Sequence, residues 1–591
     1  MTHSRPDSLF SEFPAVSRVE WKNKAVAELK EKPYETIVWH TPDGFDLEPW
    51  HSHEDKALNL DLPPCKAVNS WKNCCQIAVH HPETANKAAL KCFELDAAAL
   101  EFLITDPALC SAVNLTRLLS GIKTSAVAIY FSGNLPAAAE LLKSLAAIPG
   151  FTKTSGGLLA ATPAASQKQD QELFSLTESL PAFRVLPVDT IPFHNNGSTA
   201  VQEIAIALAG VSDYLHRFLQ AGIPADRILA AMEIILPVGS SHFIELAKPR
   251  ALRYLLQHIL KAYGVSGSTL PALFARTSER NHSLLDPYTN VLRLTTEAVS
   301  AILGGYDTLQ IGAFDNGLSV HADIAERITG NIHLILKEEA SLDRVVDPAN
   351  GSHYLEAMTR ELAASAWTLF KEIEAAGGMA EATDSGIIAS MIAEAAAKRQ
   401  KALDNRKKTL IGINRYPWPL TDEQEEHIDA LGLALEQLPA GNETAGYELV
   451  RLKSRSFSLK SGRTPSVFIW MQGNPAVSFQ QAAFAEDFFK CGGFEIAGRA
   501  VLPLDESAYS TALQNKPDIV VLCIAEKDPV PTAETLCQRL LMLDGNIIAV
   551  MAGKPPEEKE RLFAAGLDSF IYTGVNVLEM LKSYQRKTGV Q

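Results

Sequence analysis

The chain has 591 residues, 47% hydrophobic and 21% charged, the mix of a globular protein long enough for three or four domains. Its 54 basic and 69 acidic residues leave a net charge of −15 with no basic stripe, which disfavours nucleic acid as the main partner. No apolar run approaches the ~20 residues of a membrane span, no basic-then-apolar signal opens the chain, and eight cysteines without framework spacing point to reduced core thiols in a cytoplasmic protein.

Residues 1–64 read as an arm rather than a domain. Val19, Trp21, Ala25, Val26 and Leu29 share one helical face. Pro42-Asp43-Gly44 between two β-rich pieces then predicts a hairpin. His51-Ser52-His53 reads as two solvated loop histidines, because no third ligand has fitting spacing for a metal.

Between 65 and 340, apolar strands alternate with helical patterns. Strands are expected at 75–79, 100–104, 126–131, 157–161, 183–187, 228–236, 270–275 and 307–314, and eight βα repeats over this length predict a TIM barrel. The last two strands flank a helix that starts at Asp286-Pro287 and ends at Gly304-Gly305, a right-handed βαβ unit. Chemistry in such sheets sits in the loops after strands, here Arg276 to Asn281, Gln310 to Asn316, and the stretch holding His194. His80-His81 reads as solvated loop.

Residues 341–464 read as a helical segment followed by a linker. The part from 421 to 464 is polar, poorly periodic and tipped by Asn442-Glu443-Thr444. From 465 to 591, strands expected at 467–470, 496–501, 519–523, 547–551 and 569–572 alternate with helices, the pattern of a doubly wound, flavodoxin-like domain.

One stretch carries a resemblance. RTSERNHSLLDPYTNVLRLTTEA…LGGYDTLQIGAFDN, from Arg276 to Asn316, resembles the late barrel segment of methylmalonyl-CoA mutase chains. The opening arm, Asp347 to Tyr354 and Lys407 to Tyr416 are similar to that family too, so the likeness covers nearly the whole chain. The departures from the family pattern fall in the loops. Ser278, Glu279 and Arg280 fill the first, and Gln310, Ile311 and Gly312 replace a His-Thr-Asn run in the second.

His194 matches a family histidine that contacts the thioester carbonyl, which an imidazole can polarise. Its neighbour is Phe193 where the family has tyrosine, and the family's early Y-P-T-M-Y loop is missing, so His194 reads as a vestige kept for packing or hydrogen bonding. In the family the last domain binds cobalamin through D-x-H-x-x-G after its first strand. Here that loop holds Gln472, Gly473, Asn474 and Pro475, without His or Asp. Glu526, Lys527 and Lys554 put charge where the nucleotide tail would lie, and a buried unpaired charge is costly.

The resemblance therefore implies the small, non-catalytic subunit type. No cofactor or metal is expected on this chain. The implied partner is a large subunit that binds adenosylcobalamin and the acyl-CoA substrate and isomerises (R)-methylmalonyl-CoA and succinyl-CoA by a radical mechanism. The alternatives are a divergent acyl-CoA mutase active in its own right and a stand-alone acyl-CoA-binding protein.

Overall fold

The computed structural model of the chain describes residues 16–52, 54–55, 66–133, 135, 138–159, 167–265, 270–315 and 322–590. The arm opens with a helix, Arg18–Leu29, started by a reciprocal capping box between Ser17 and Glu20. None of its residues is buried, and Trp21 stacks on Trp50 at 5.3 Å. The hairpin forms as expected, Trp39–His40 pairing antiparallel with Asp46–Leu47. His51 departs from its solvated reading. Its ring is buried 5.7 Å from that of Tyr354 and 3.3 Å from Asp55, and burial holds its pKa below the ordinary value. Tyr354 lies on the helix His353–Ala375, so a long-range contact covers a residue that local polarity placed in water. His53 lies outside the described residues, and His80 and His81 are exposed.

The barrel strands are β1 Lys72–Ala78, β2 Ala99–Ile104, β3 Ala128–Gly133, β4 Gly156–Leu158, β5 in two pieces, Phe183–Arg184 and Leu186–Asp189, β6 Met232–Val238, β7 Ala272–Thr277 and β8 Thr308–Gln310. All pair in parallel. The first piece of β5 pairs with β4 and the second with β6, so the broken strand closes the barrel. The break falls at Val185, where Val185 and Leu186 both donate to the Ala231 carbonyl at 2.9 Å. The 228–236 strand also shifts: 225–230 is a helical turn, and β6 begins at Met232.

Strand alternation decides which side chains fill the barrel. Leu100, Phe102 and Ile104 of β2 and Ile129 and Phe131 of β3 point out under the helices. Inside lie Cys74, Ala99, Ala128, Tyr130, Ile235 and Phe274, with Tyr130 edge-on to Phe274 at 5.2 Å. Two ion pairs also lie inside, Arg184 to Glu233 at 2.9 Å and Arg276 to Glu101 at 2.6 Å. Glu101 also accepts from Gln76 at 2.9 Å, and burial pushes Glu233 up to about 7.

The stretch expected to be a linker, 421–464, is folded instead. It forms the helices Asp422–Glu426, Ile428–Glu436 and Ala445–Ser461, the first begun by a Thr421–Gln424 capping box. Leu431, Leu435 and Leu452 pack with Leu284 and Leu285 of the barrel loop after β7. Its polar residues satisfy barrel-loop groups rather than water, which local composition cannot reveal.

The last sheet has strands β9 Ser466–Gly473, β10 Glu495–Val501, β11 Ile519–Ala525, β12 Ile548–Ala552 and β13 Leu567–Ile571, ordered β10-β9-β11-β12-β13 and all parallel. Helices cover both faces. Val467, Ile469 and Met471 pack on Phe488, Phe489 and Leu581, while Phe468 and Trp470 pack with Leu536, Leu540 and Leu562. Arg406 ties this domain to the barrel side. It pairs with Asp487 at 3.0 Å, donates to Cys491 Sγ at 3.3 Å and lies 5.6 Å from the Phe488 ring centroid. The seven described cysteines are free thiols, all but Cys75 buried. Among the described residues no helix is long and apolar enough to cross a membrane.

Candidate functional site

The loops after β5 and β7 converge at the C-terminal end of the barrel. His194 sits in the short helix Ile191–Asn195 that follows β5 directly. It is 2% exposed, with Nδ1 2.7 Å from Glu203 Oε1 and Nε2 2.7 Å from Ser278 Oγ. Glu203 lies in the first turn of the helix Ala200–Gln220, fixed by a Thr199–Gln202 capping box. Its other oxygen accepts from Lys248 Nζ at 2.8 Å, and Lys248 also donates to the Pro237 carbonyl at 2.7 Å and pairs with Glu245 at 2.5 Å.

Burial, helped by nearby Arg280, pulls His194 down to about 4 against the opposing pull of Glu203. Burial alone would raise Glu203, but Lys248 and His194 outweigh it and bring the carboxyl to about 2. Lys248 would be lowered by burial, yet Glu203 and Glu245 raise it. At neutral pH the ring is therefore uncharged. Nδ1–H donates to Glu203 and Nε2 accepts from the Ser278 hydroxyl. Both ring nitrogens are spent on protein partners, leaving neither for a substrate carbonyl.

Most of the other loop residues are bound to the protein's own groups as well. Arg280 donates to the carbonyls of His194 at 3.2 Å and Ser198 at 2.9 Å. Gln310 donates to the adjacent Ile311 carbonyl at 3.0 Å, and Gly312 N–H donates to Thr277 Oγ1 at 2.8 Å. Glu279 is exposed.

Sequence reasoning missed the residues that lie against His194 from outside the barrel. Gly441 N–H donates to the Asn195 carbonyl at 3.2 Å, and a Cβ at Gly441 would stand 2.3 Å from Gly197 N, a contact only glycine permits. Glu443 N–H donates to the Arg280 carbonyl at 2.9 Å, and its carboxylate accepts from Lys408 Nζ at 2.7 Å. Thr444 Oγ1 donates to the His282 carbonyl at 3.0 Å, and Glu448 takes the N–H groups of Leu284 at 3.3 Å and Leu285 at 3.0 Å. The one local signal was Asn442, whose side chain accepts from Thr444 and Ala445 N–H, each at 2.9 Å.

At the C-terminal rim of the last sheet, Gln472 is half-buried and Gly473, Asn474 and Pro475 are exposed. Only Asn474 separates β9 from the helix Pro475–Lys490. It caps that helix by accepting from Ala476 N–H at 3.0 Å, while its own N–H donates to the Ala525 carbonyl at 2.9 Å. Gly473 has φ 82°, and a Cβ there would lie 2.5 Å from the Ala525 oxygen. Glu526, Lys527 and Lys554 lie in solvent rather than intruding as buried charges, because strand ends place them on the rim. Glu526 accepts from Thr532 at 2.7 Å.

These residues offer a corrinoid no imidazole ligand. Residues 465–591 contain no histidine, and the Asn474 side chain is used to cap a helix. Among the described residues no group of three or more His, Cys, Asp or Glu side chains could hold a metal ion.

An eight-stranded parallel barrel joined through helices to a parallel sheet of 2-1-3-4-5 order defines a barrel protein carrying a flavodoxin-like domain. A family model described as methylmalonyl-CoA mutase matches residues 156–439. The chain is 30% identical to the methylmalonyl-CoA mutase small subunit of Porphyromonas gingivalis, over 99% of each chain. It is 28% identical to the small subunit of Streptomyces virginiae, over 99% of this chain and 98% of that one. The large subunit of Porphyromonas gingivalis matches at 34% over 46% of this chain and 38% of its own length. The chain belongs to the methylmalonyl-CoA mutase family.

Proposed function

We propose that this chain is the small, non-catalytic subunit of a cytoplasmic methylmalonyl-CoA mutase. It pairs with a large subunit that holds adenosylcobalamin and acyl-CoA and interconverts (R)-methylmalonyl-CoA and succinyl-CoA. The enzyme is then an isomerase as a complex, with this chain contributing scaffold and interface. The turn at Gly473 and Asn474 carries the reading: its Asn474 side chain is used to cap a helix, and the whole domain lacks an imidazole that could ligate cobalt. His194 supports it, because its two ring nitrogens are bound by Glu203 and Ser278. Full-length similarity to chains named small subunit agrees with it.

The test is a tagged chain recovered from its native cell. A larger mutase chain should come down in equal amount, and hydroxocobalamin added to the isolated tagged chain should produce no ligation shift in its spectrum. A histidine-ligated spectrum on this chain alone would favour a self-sufficient mutase. CoA-ester binding without a mutase partner would favour a stand-alone binding protein.

A further inference from the structure

Three cations converge on one carboxylate where the segment 439–448 crosses the barrel loops. Arg280 comes from the loop after β7, Arg399 from the helix Ile387–Asp404 and Lys408 from the connector that follows it. Arg280 Nε and Arg399 Nε each stand 3.4 Å from Glu443 Oε1, and Lys408 Nζ stands 2.7 Å from Oε2. Glu443 is 3% exposed.

This is more than a buried ion pair. Glu443 Oε1 accepts no hydrogen bond although it lies between two guanidinium groups. Both guanidinium Nε atoms stand beside it without an aligned hydrogen bond. The guanidinium groups are fixed elsewhere: Arg399 donates to the carbonyls of Gly197 at 2.9 Å and Ser198 at 3.2 Å, and Arg280 to those of His194 and Ser198. The two guanidinium groups are thus held by barrel-loop carbonyls apart from the carboxylate they flank, whereas Lys408 Nζ is held by Glu443 itself. They also repel one another. Burial first, then Arg280, brings Arg399 down to about 10 against the opposing pull of Glu443, and burial lowers Lys408 although Glu443 opposes it, with smaller contributions from both arginines. Asp43 and Glu203 act on Arg399 at longer range and do not cancel this.

We propose that Arg280, Arg399 and Lys408 form a binding site for a small carboxylate, that the Glu443 side chain is its resident ligand, and that this self-occupation keeps 439–448 closed over His194. A preformed site whose tethered ligand leaves one oxygen unbonded accepts a free carboxylate in its place once the tether is cut. Planar guanidinium edges and an ammonium suit a carboxylate's two oxygens. The site is separate from the substrate chemistry assigned above to the large subunit and stands without it.

The test is chemical rescue in the full chain. Glu443→Ala empties the site and should lower Tm, and ~100 mM acetate should restore more than half of that fall by mass action. Sodium chloride at equal ionic strength should not restore it. Glu443→Gln keeps the volume filled, so acetate should not restore it. Equal restoration by chloride and acetate would reduce the cluster to screened charges, and no restoration by acetate would remove the site; either overturns the proposal. If Glu443→Ala does not fold, Lys408→Met tests the closure by hydrogen exchange. Amides 441–445 should exchange at least ~10-fold faster than in the unmodified chain, one decade for each 1.4 kcal/mol of lost hold. Unchanged exchange overturns the closure.

Discussion

Acid should unfold this protein in a pH range where its carboxylates alone would not, because His194 is held neutral. In the folded chain burial pulls its pKa from 6.5 to about 4. The folded pKa is the lower one, so between these values the unfolded chain binds a proton that the folded chain refuses. Stability therefore rises with pH across this window and is lost as pH falls through it. At about 1.4 kcal/mol per pKa unit, the full shift is worth about 3 kcal/mol, and about 2 kcal/mol of it is gone by about pH 5. The ring is fully enclosed, so solvent screening does not dilute this figure. The partner carboxylate Glu203 works in the same direction at lower pH. Its folded value of about 2 against 4.5 gives stability that is lost between those values, through the same hydrogen bond, so the two contributions are not independent. His333, buried with Nδ1 accepting from Trp71 Nε1 at 3.1 Å and lowered to about 3, adds a second histidine to the same slope. The assay is urea unfolding from neutral pH to about pH 5, with histidine C2–H exchange read by mass spectrometry to assign the titration to residues. A urea midpoint flat over that range, or a His194 exchange profile centred near 6.5, would refute the reasoning.

Glu448→Ala should cost about 2–4 kcal/mol in denaturant unfolding, since it strands the Leu284 and Leu285 N–H groups and the Ser283 hydroxyl inside the protein. Arg406→Ala should loosen the last domain from the barrel at a cost of about 3 kcal/mol, read as faster proteolytic cleavage between 405 and 465 with both flanking pieces left resistant. Asn474→Ala should lose about 1 kcal/mol of helix capping while Asn474→Asp keeps it, and Gly473→Ala should lose more than 1 kcal/mol because φ 82° and the Ala525 oxygen both oppose a Cβ.

Much of the scaffold was legible because it is written in local periodicity. The apolar runs of β2 and β3 and the Gly304-Gly305 stop announced themselves, five βα repeats marked the last domain as doubly wound, and β6 was seen but placed too early, since it begins at Met232. What escaped depends on contacts distant along the chain. The break in β5 at Val185 is set by how its neighbours close, not by its own residues. Glu443 reads as a loop tip until Arg280, Arg399 and Lys408, far apart in sequence, meet around it. His51 looks solvated until Tyr354 covers it. The helices of 421–464 carried weak cues, the Thr421–Gln424 box and Ile428, Leu431, Leu435 at helical spacing, but charge and proline masked them. For the candidate site, the sequence pointed to His194 but not to the partners that consume it.

The side chains inside the barrel have a consequence for its stability. A tube held open for a small molecule is steadier when that molecule is plentiful and weaker when it is scarce. Here Tyr130, Phe274 and the Arg184–Glu233 and Arg276–Glu101 pairs fill part of the interior with the chain's own side chains. The packing of these layers is set by the chain's own side chains, so it carries over unchanged whatever small molecules surround the protein.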